Sequence, residues 1–441
     1  MDYYVNLFGD DSNSGISTKQ PWQSIDRVNA SRLQPRDSVW FHANQTFKGN
    51  ISLSDAETDA SDEPITFGSY GNGSATIDAG TGAGFFAKNQ GCVQIINLNF
   101  VGTGIERNNS SGIWFVNTLP EHKKLRYIRI DSVDVSGFKH AGICIAAEPI
   151  DESWCGFSNV QITHTNVHDN GDAGISCIGT WNPKEEGYSH TEIYVSNCRV
   201  YRNVGIPGKG SHSGNGIVLA QVDGATIEYC ETYENGTLND YEGGGPVGIW
   251  TWDSNRVLIQ FNESHHNRTG SSKDGGGFDL DGGVRNSIVQ YNYSHDNDGA
   301  GYLLAQFEGA KAFHNNVIRY NVSENDGRKN SYGGIHLWST GADGGIRNTT
   351  IYRNIISTSK SNVGNSAAVD CMSEGVHNIR FYNNIFKTDG EVDLIRGMSY
   401  PNLVFQGNSY QATDTDFKIL WDGQIFDTLA QWQNHMGQDK E

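Results

Sequence analysis

Basic residues are scarce in this chain. Lys and Arg total 32 against 51 Asp and Glu, a formal charge of −19 over 441 residues. A nucleic-acid partner is thereby excluded, because it would need a basic stripe along the binding face. A polyanionic substrate is disfavoured unless a cation bridges the charges. Long apolar runs are missing too, so no segment reads as a membrane span. The start, Met1-Asp2-Tyr3-Tyr4-Val5, carries neither the charged nor the apolar region of a secretion signal. With much Gly, Asn and aromatic residue and little Lys, the protein is expected to be secreted or periplasmic, its signal absent from this sequence. Helical periodicity is nearly lacking, and only residues 22–28, after Pro21, read as a helix. No Cys-x-x-Cys pair occurs, which excludes a zinc ribbon. Seven cysteines cannot all pair within one chain.

What is present is a repeat. Ile259-Gln260-Phe261-Asn262-Glu263-Ser264-His265-His266-Asn267 is echoed by Val289-Gln290-Tyr291-Asn292-Tyr293-Ser294-His295-Asp296-Asn297. Weaker copies lie at 227–235, 318–325 and 351–358. Aligning the Asn262 column gives Asp131, Thr165, Cys198, Cys230, Asn262, Asn292, Asn321, Asn354 and Asn384. These step by roughly 30 residues, the signature of a solenoid whose units bury their apolar faces only against neighbours. Cys198 and Cys230 share that column, so they are placed either to form a disulfide or to stand as two reduced thiols. Short β-branched and aromatic runs bounded by Gly, Asn, Asp and Ser give the strands. An all-β right-handed parallel β-helix follows, read as one domain over 1–441. Its parts are an N-terminal cap and first coil at 1–50, a coil stack at 51–410, and a short C-terminal cap at 411–441, where a short helix is expected to cover the open end.

The opening Tyr3-Tyr4-Val5, the Gly9-Asp10-Asp11-Ser12 turn, Pro21-Trp22 with Ile25, and Arg36-Asp37-Ser38-Val39-Trp40-Phe41 resemble the start of the right-handed β-helix superfamily. Pectate lyases, many glycoside hydrolases and phage tailspikes share it. The resemblance spans essentially the whole chain, is specific for fold, and implies carbohydrate chemistry only in general terms.

After each turn a second strand begins with Gly and an apolar residue, as in Gly248-Ile249-Trp250, Gly277-Phe278-Asp279, Gly301-Tyr302-Leu303 and Gly334-Ile335-His336. Alternation sends Ile249, Thr251, Phe278, Leu280, Tyr302, Leu304, Ile335 and Leu337 inward. The outward set is then Trp250 and Trp252, Asp279 and Asp281, Leu303 and Ala305, and His336 and Trp338, with Asp370 one coil later. Strands about 4.8 Å apart make this patch roughly 15–20 Å long, the length of a few sugar rings. Loop lengths point to the same place. From the aligned column to the outward position takes 11 residues in the Thr165 and Asn292 coils, but 20 in the Cys198 and Cys230 coils and 17 in the Asn262 coil. The insertions at 205–214, 236–245 and 269–276 should wall a groove.

Asp279 and Asp281 are two residues apart on one face, with Cα atoms about 6.5–7 Å apart. Each raises the pKa of the other, so one carboxyl can stay protonated while its neighbour ionises. Glycosidic cleavage needs that combination. Asp253 and Glu308, at the ends of the flanking strands, are the other candidate catalytic carboxylates. Trp250, Trp252 and Trp338 offer flat apolar faces to a neutral poly- or oligosaccharide, with Gln306 and His336 fixing hydroxyls. His265, His266 and His295 belong to the turns. The expectation is a glycoside hydrolase without a cofactor.

Two alternatives remain at this stage. Asp274-Gly275-Gly276-Gly277-Phe278-Asp279-Leu280 resembles a calcium-binding run of one pectate-lyase family, which implies a Ca²⁺-dependent polysaccharide lyase with Asp253, Asp274, Asp279 and Asp281 as ligands. That family's lysine base would stand where this chain has Val218, with Lys209 and Lys273 as loop substitutes. The third reading is a non-catalytic glycan-binding β-helix. Polygalacturonase signatures do not occur together, so ordinary pectin hydrolysis is not expected.

Overall fold

The repeated phrase is short because one coil spends it on three short strands. The structure, a computed structural model, describes residues 1–54, 63–151, 153–184, 186–341, 344–412 and 416–439. The chain divides into two compact units: Met1–Trp181 with Gly187–Ile206 and Gln221–Ala225, and Asn182–Glu186 with Pro207–Ala220 and Thr226–Glu441. In each, strands fall into three parallel sheets, and successive coils add one strand to each sheet. Each unit is therefore a parallel β-helix, the all-β solenoid that the repeat implies.

In the first unit Asp2–Val5 lies parallel to Ser38–His42, with Val5 opposite Phe41. The helix runs Ile25–Asn29 rather than 22–28. Trp22 is buried, stacked on Tyr3 at 4.6 Å and bridged to Val5, so it belongs to the sheet edge. Ser24 caps the helix by accepting from the Arg27 N–H, which requires Ser24 to be extended and excludes the residues before it. The aligned column also needs one correction. Asp131 pairs with Thr163, which pairs with Ser196, so it stands two residues before the turn position. That position is Val133, whose carbonyl accepts from Asn166 as the Thr165 carbonyl accepts from Arg199. An apolar residue at the turn left no polar signal to align. All seven cysteines are buried free thiols, Cys198 and Cys230 among them.

In the second unit the column becomes a ladder of amides. Asn262 Nδ2 donates to Asn292 Oδ1 at 3.0 Å, and the pattern continues through Asn321, Asn354, Asn384 and Asn408 at 2.9–3.1 Å. Each Oδ1 also accepts the main-chain N–H of the preceding rung. Each Nδ2 also donates to a carbonyl one coil back. The ladder stops at Asp439, whose carboxylate takes the N–H and Nδ2 of Asn408. A second ladder runs Asn235, Asn267, Asn297 and ends on Asp326. Buried polar groups are tolerable only when bonded, and interior rungs fill their donor and acceptor sites. The residue before each rung, from Tyr229 and Phe261 to Tyr291 and Tyr320, is left-handed at φ 54–56°. That conformation is costly for non-glycine residues. Stacking of these four rings at 5.0–5.3 Å and the rungs themselves offset it.

The C-terminal end closes with an antiparallel pair, Ile419–Trp421 and Gln424–Phe426, and the helix Leu429–Met436. Thr428 caps the helix and Gly437, at φ 64°, ends it. Trp432 is buried against Trp421 at 5.0 Å.

Candidate active site

The groove lies wholly within the second unit. Its floor is made by the parallel strands Val247–Trp252, Gly276–Asp281, Tyr302–Gln306 and Gly333–Ser339, with Trp250 beside Asp279, Asp279 beside Leu303, and Leu303 beside His336. Phe278, Leu280, Leu304 and Leu337 fill the interior, which fixes the opposite parity outward. Loops supply the walls: Ser211 and His212, Tyr241 with Gly243 to Gly245, and Ser272 to Asp274 come from the three expected insertions. A fourth wall, Lys329 to Tyr332, was not anticipated. Its signal is in the spacing, 15 residues from Asn321 to His336 against 11 from Asn292 to Leu303. The enclosed volume is about 670 Å³.

Three carboxylates face this groove: Asp274, Asp279 and Asp281. Asp279 is only 4 % exposed, and its Oδ1 is buried with no hydrogen-bond partner among the described residues. Burial, then the charges of Asp281 and Asp274, push its pKa well above the usual carboxylate range. Asp281 is half-buried, and its Oδ1 accepts from the Gly282 N–H at 2.6 Å. Burial, with a further push from Asp274, raises it to about 7 despite that bond. A proton therefore sits on the pair at neutral pH. Asp274 is a clamp between loops. Its Oδ2 accepts from Gly245 N–H at 2.7 Å and its Oδ1 from the Tyr332 hydroxyl at 2.8 Å. The same hydroxyl accepts the Asp274 N–H, and Asn330 donates to the Asp274 carbonyl.

The aromatic residues divide into two kinds. Trp338 lines the groove and is 41 % exposed. Trp250 lines it too but is 4 % exposed, its Nε1 bonded to Asn215 Oδ1 at 3.1 Å and its ring meeting His212 edge-on. His336 is buried under the Tyr332 ring, its Nδ1 3.9 Å from Asp370 Oδ2, which Arg396 holds at 3.1 Å. Burial lowers its pKa, so the imidazole is neutral at neutral pH.

Four residues assigned to the site from sequence lie outside the groove lining. Asp253 is buried and ion-paired with Lys311 at 3.2 Å. Gln306 is buried, accepting from Gly283 N–H and donating to the Lys311 carbonyl. Both carry the inward parity of their strands. Glu308 is exposed in the turn after Phe307, and Phe307 is the residue that reaches the groove. Trp252 points outward beside Asp281 but beyond the groove's edge. The calcium set does not converge. Asp253 is held by Lys311 and Asp274 by two loops. Among the described residues the one set of three or more potential ligands whose atoms all lie within 4.8 Å is His265, His266 and His295. Of the lysines named for a lyase base, Lys273 lines the groove, whereas Lys209 Nζ donates to the His212 carbonyl.

No protein-family model matches the chain. The solved structure of the GH136 lacto-N-biosidase from Eubacterium ramulus superposes with a TM-score of 0.61 at 20 % identity, covering 93 % of this chain and 68 % of that one. The likeness shows the fold, a parallel β-helix. The mannuronan C-5 epimerase A-module of Azotobacter vinelandii shares the β-helix at TM-score 0.52 and 10 % identity, covering 92 % of this chain and 96 % of that one. In sequence this β-helix is 25 % identical over 486 aligned positions to the lacto-N-biosidase of Bifidobacterium longum subsp. longum. The alignment takes in 87 % of the chain but only 28 % of that much longer protein. Among the described residues no helix is long and apolar enough to cross a membrane.

Proposed function

We propose that the chain is a glycoside hydrolase that cleaves an oligosaccharide in the groove, without a metal. The observation that carries this is the Asp279–Asp281 pair on the groove floor, holding a proton at neutral pH in a groove that the exposed Trp338 also lines. Sequence similarity to a lacto-N-biosidase supports the same reading. Asp279, the deeper of the two, is the acid that gives its proton to the departing glycosidic oxygen. Asp281 is the carboxylate that acts at the anomeric carbon, directly or through a water. The nearby Asp274 raises the proton affinity of both members of the pair, which helps the pair retain its proton until the leaving group takes it. Trp338 stacks on a sugar face.

The test is incubation with an aryl lacto-N-bioside and with a panel of neutral and acidic oligosaccharides, each with and without EDTA. Hydrolysis gives new reducing ends or free phenol, insensitive to chelator and without ultraviolet absorbance from an unsaturated uronate. Chelator-sensitive absorbance would replace this reading with a lyase, and no turnover across the panel would leave a glycan-binding protein. On the substrate found, Trp338→Ala should raise KM about 10-fold with a smaller change in kcat, the loss of one stacking contact. An unchanged KM removes Trp338 from the sugar site.

A further inference from the structure

Two histidines of the repeated phrase stand in register on neighbouring coils, on a different sheet from the groove floor. Strands Glu263–His265 and Tyr293–His295 pair with His265 opposite His295, and the two rings stack at 4.7 Å. Ser264 and Ser294 of the same strands are buried, so the imidazoles face outward. His266 follows in the left-handed corner at φ 53°. That turn swings its ring perpendicular to both neighbours, at 5.0 Å from His265 and 5.5 Å from His295. Asp296 occupies the equivalent corner one coil on, with its Oδ2 2.9 Å from His295 Nδ1.

The ring nitrogens divide into two sets. The outer ones face carboxylates: His295 Nε2 is 3.1 Å from Glu263 Oε1, and His265 Nε2 is 3.5 Å from Glu231 Oε1. A carboxylate at Nε2 orients each ring, as it does in metal-ligating histidines, whereas His295 Nδ1 also shares a proton with Asp296 Oδ2, which a bound cation would have to displace. The Nδ1 atoms of His265 and His266 then meet at 2.8 Å. Two lone pairs at that distance repel, so a proton or a cation must lie between them. The ligand atoms of all three histidines lie within 4.8 Å of one another. A tetrahedral zinc ion places its nitrogens about 3.4 Å apart, so the stacked rings of His265 and His295 would have to tilt toward the ion to complete the set.

We propose that His265, His266 and His295 form a surface site for a zinc-class divalent cation, with the Asp296 carboxylate beside it. Imidazole nitrogens with one carboxylate suit Zn²⁺, Cu²⁺ or Ni²⁺ and do not suit Ca²⁺ or Mg²⁺, which take oxygen ligands. Such an ion ties two coils together at the corner and is structural rather than catalytic. It shares no residue with the groove.

The experiment is calorimetric titration of the full chain, stripped with EDTA, dialysed and free of any affinity tag, with ZnCl₂. One saturable site is expected, together with a zinc-dependent rise in the unfolding midpoint. His266→Ala and His295→Ala should each weaken binding at least about 10-fold, and Glu263→Gln, acting through His295, by about 10-fold. His168→Ala removes a histidine that also faces two carboxylates but has no second imidazole beside it, and should change nothing. No saturable binding up to about 100 µM zinc, at which even a weak site would register, overturns the proposal. So does binding that is indifferent to both His266→Ala and His295→Ala.

Discussion

Asp279→Asn and Asp281→Asn should each cut kcat/KM by about a thousandfold or more while making the chain harder, not easier, to unfold at pH 8. The first half follows from the roles proposed above, since an amide can neither deliver the proton nor act as a carboxylate. The second half follows from burial. In the unfolded chain each carboxyl titrates near about 3.9, whereas in the folded chain Asp281 is raised to about 7 and Asp279 well above the usual range. The folded state thus binds protons more tightly than the unfolded state from about pH 4 upward, and stability falls as pH rises through that window. An amide carries no charge to bury, so the variants gain most above pH 7 and nothing near pH 3. Midpoints of thermal unfolding at pH 3, 6 and 8, set beside turnover, check both halves. A variant that loses midpoint at pH 8 but keeps activity would make the pair structural and end the catalytic assignment.

Asn292→Ala should cost about 3 kcal/mol in the second unit, a large effect for one surface-distant side chain. Asn292 Oδ1 receives two donors from Asn262, its main-chain N–H and its Nδ2. Its own Nδ2 serves the Ile259 carbonyl and Asn321 Oδ1. Removing it strands two buried donors where water cannot reach, at about 1–3 kcal/mol each, and adds a small void. Asn292→Asp should be no better, because it keeps the acceptors but turns a buried negative charge toward two oxygens. Cys230→Ala, at a rung with a thiol in place of an amide, should cost far less. Urea unfolding of the three variants orders them, and equal losses would mean that packing rather than the ladder holds the corner.

The repeat made the coils legible because asparagine at the corner is both a turn residue and a hydrogen-bonding rung, so it survives as a visible column. Where Val133 takes that place the column was lost and Asp131 was aligned instead. The floor of the groove could be read from alternation alone, since Phe278 and Leu280 inward require Asp279 and Asp281 outward. Hydrogen bonding across coils could not. Nothing near Trp250 in sequence announces Asn215, and nothing near Asp253 or Gln306 announces Lys311. Those partners come from other coils or from loops of irregular length. The role of Asp274 as a clamp was hidden for the same reason, because Tyr332 lies 58 residues away. His265, His266 and His295 were visible as corner residues, but a shared set of nitrogens appears only once the coils are stacked.

The two buried amide ladders described above stop on an aspartate, Asp326 in one and Asp439 in the other. An asparagine rung passes the bond along, receiving from the coil before and giving to the coil after, so the ladder is a one-way chain. A carboxylate can receive but has nothing to give, which makes it a full stop. For the longer ladder the coils between Asn262 and Asn384 are in this sense interchangeable links, except that the coil holding Asp326 also carries the stop of the shorter ladder. The coil that carries the stop cannot be moved inward. Any shuffling of such proteins, by evolution or by design, would have to rewrite that one residue along with the length.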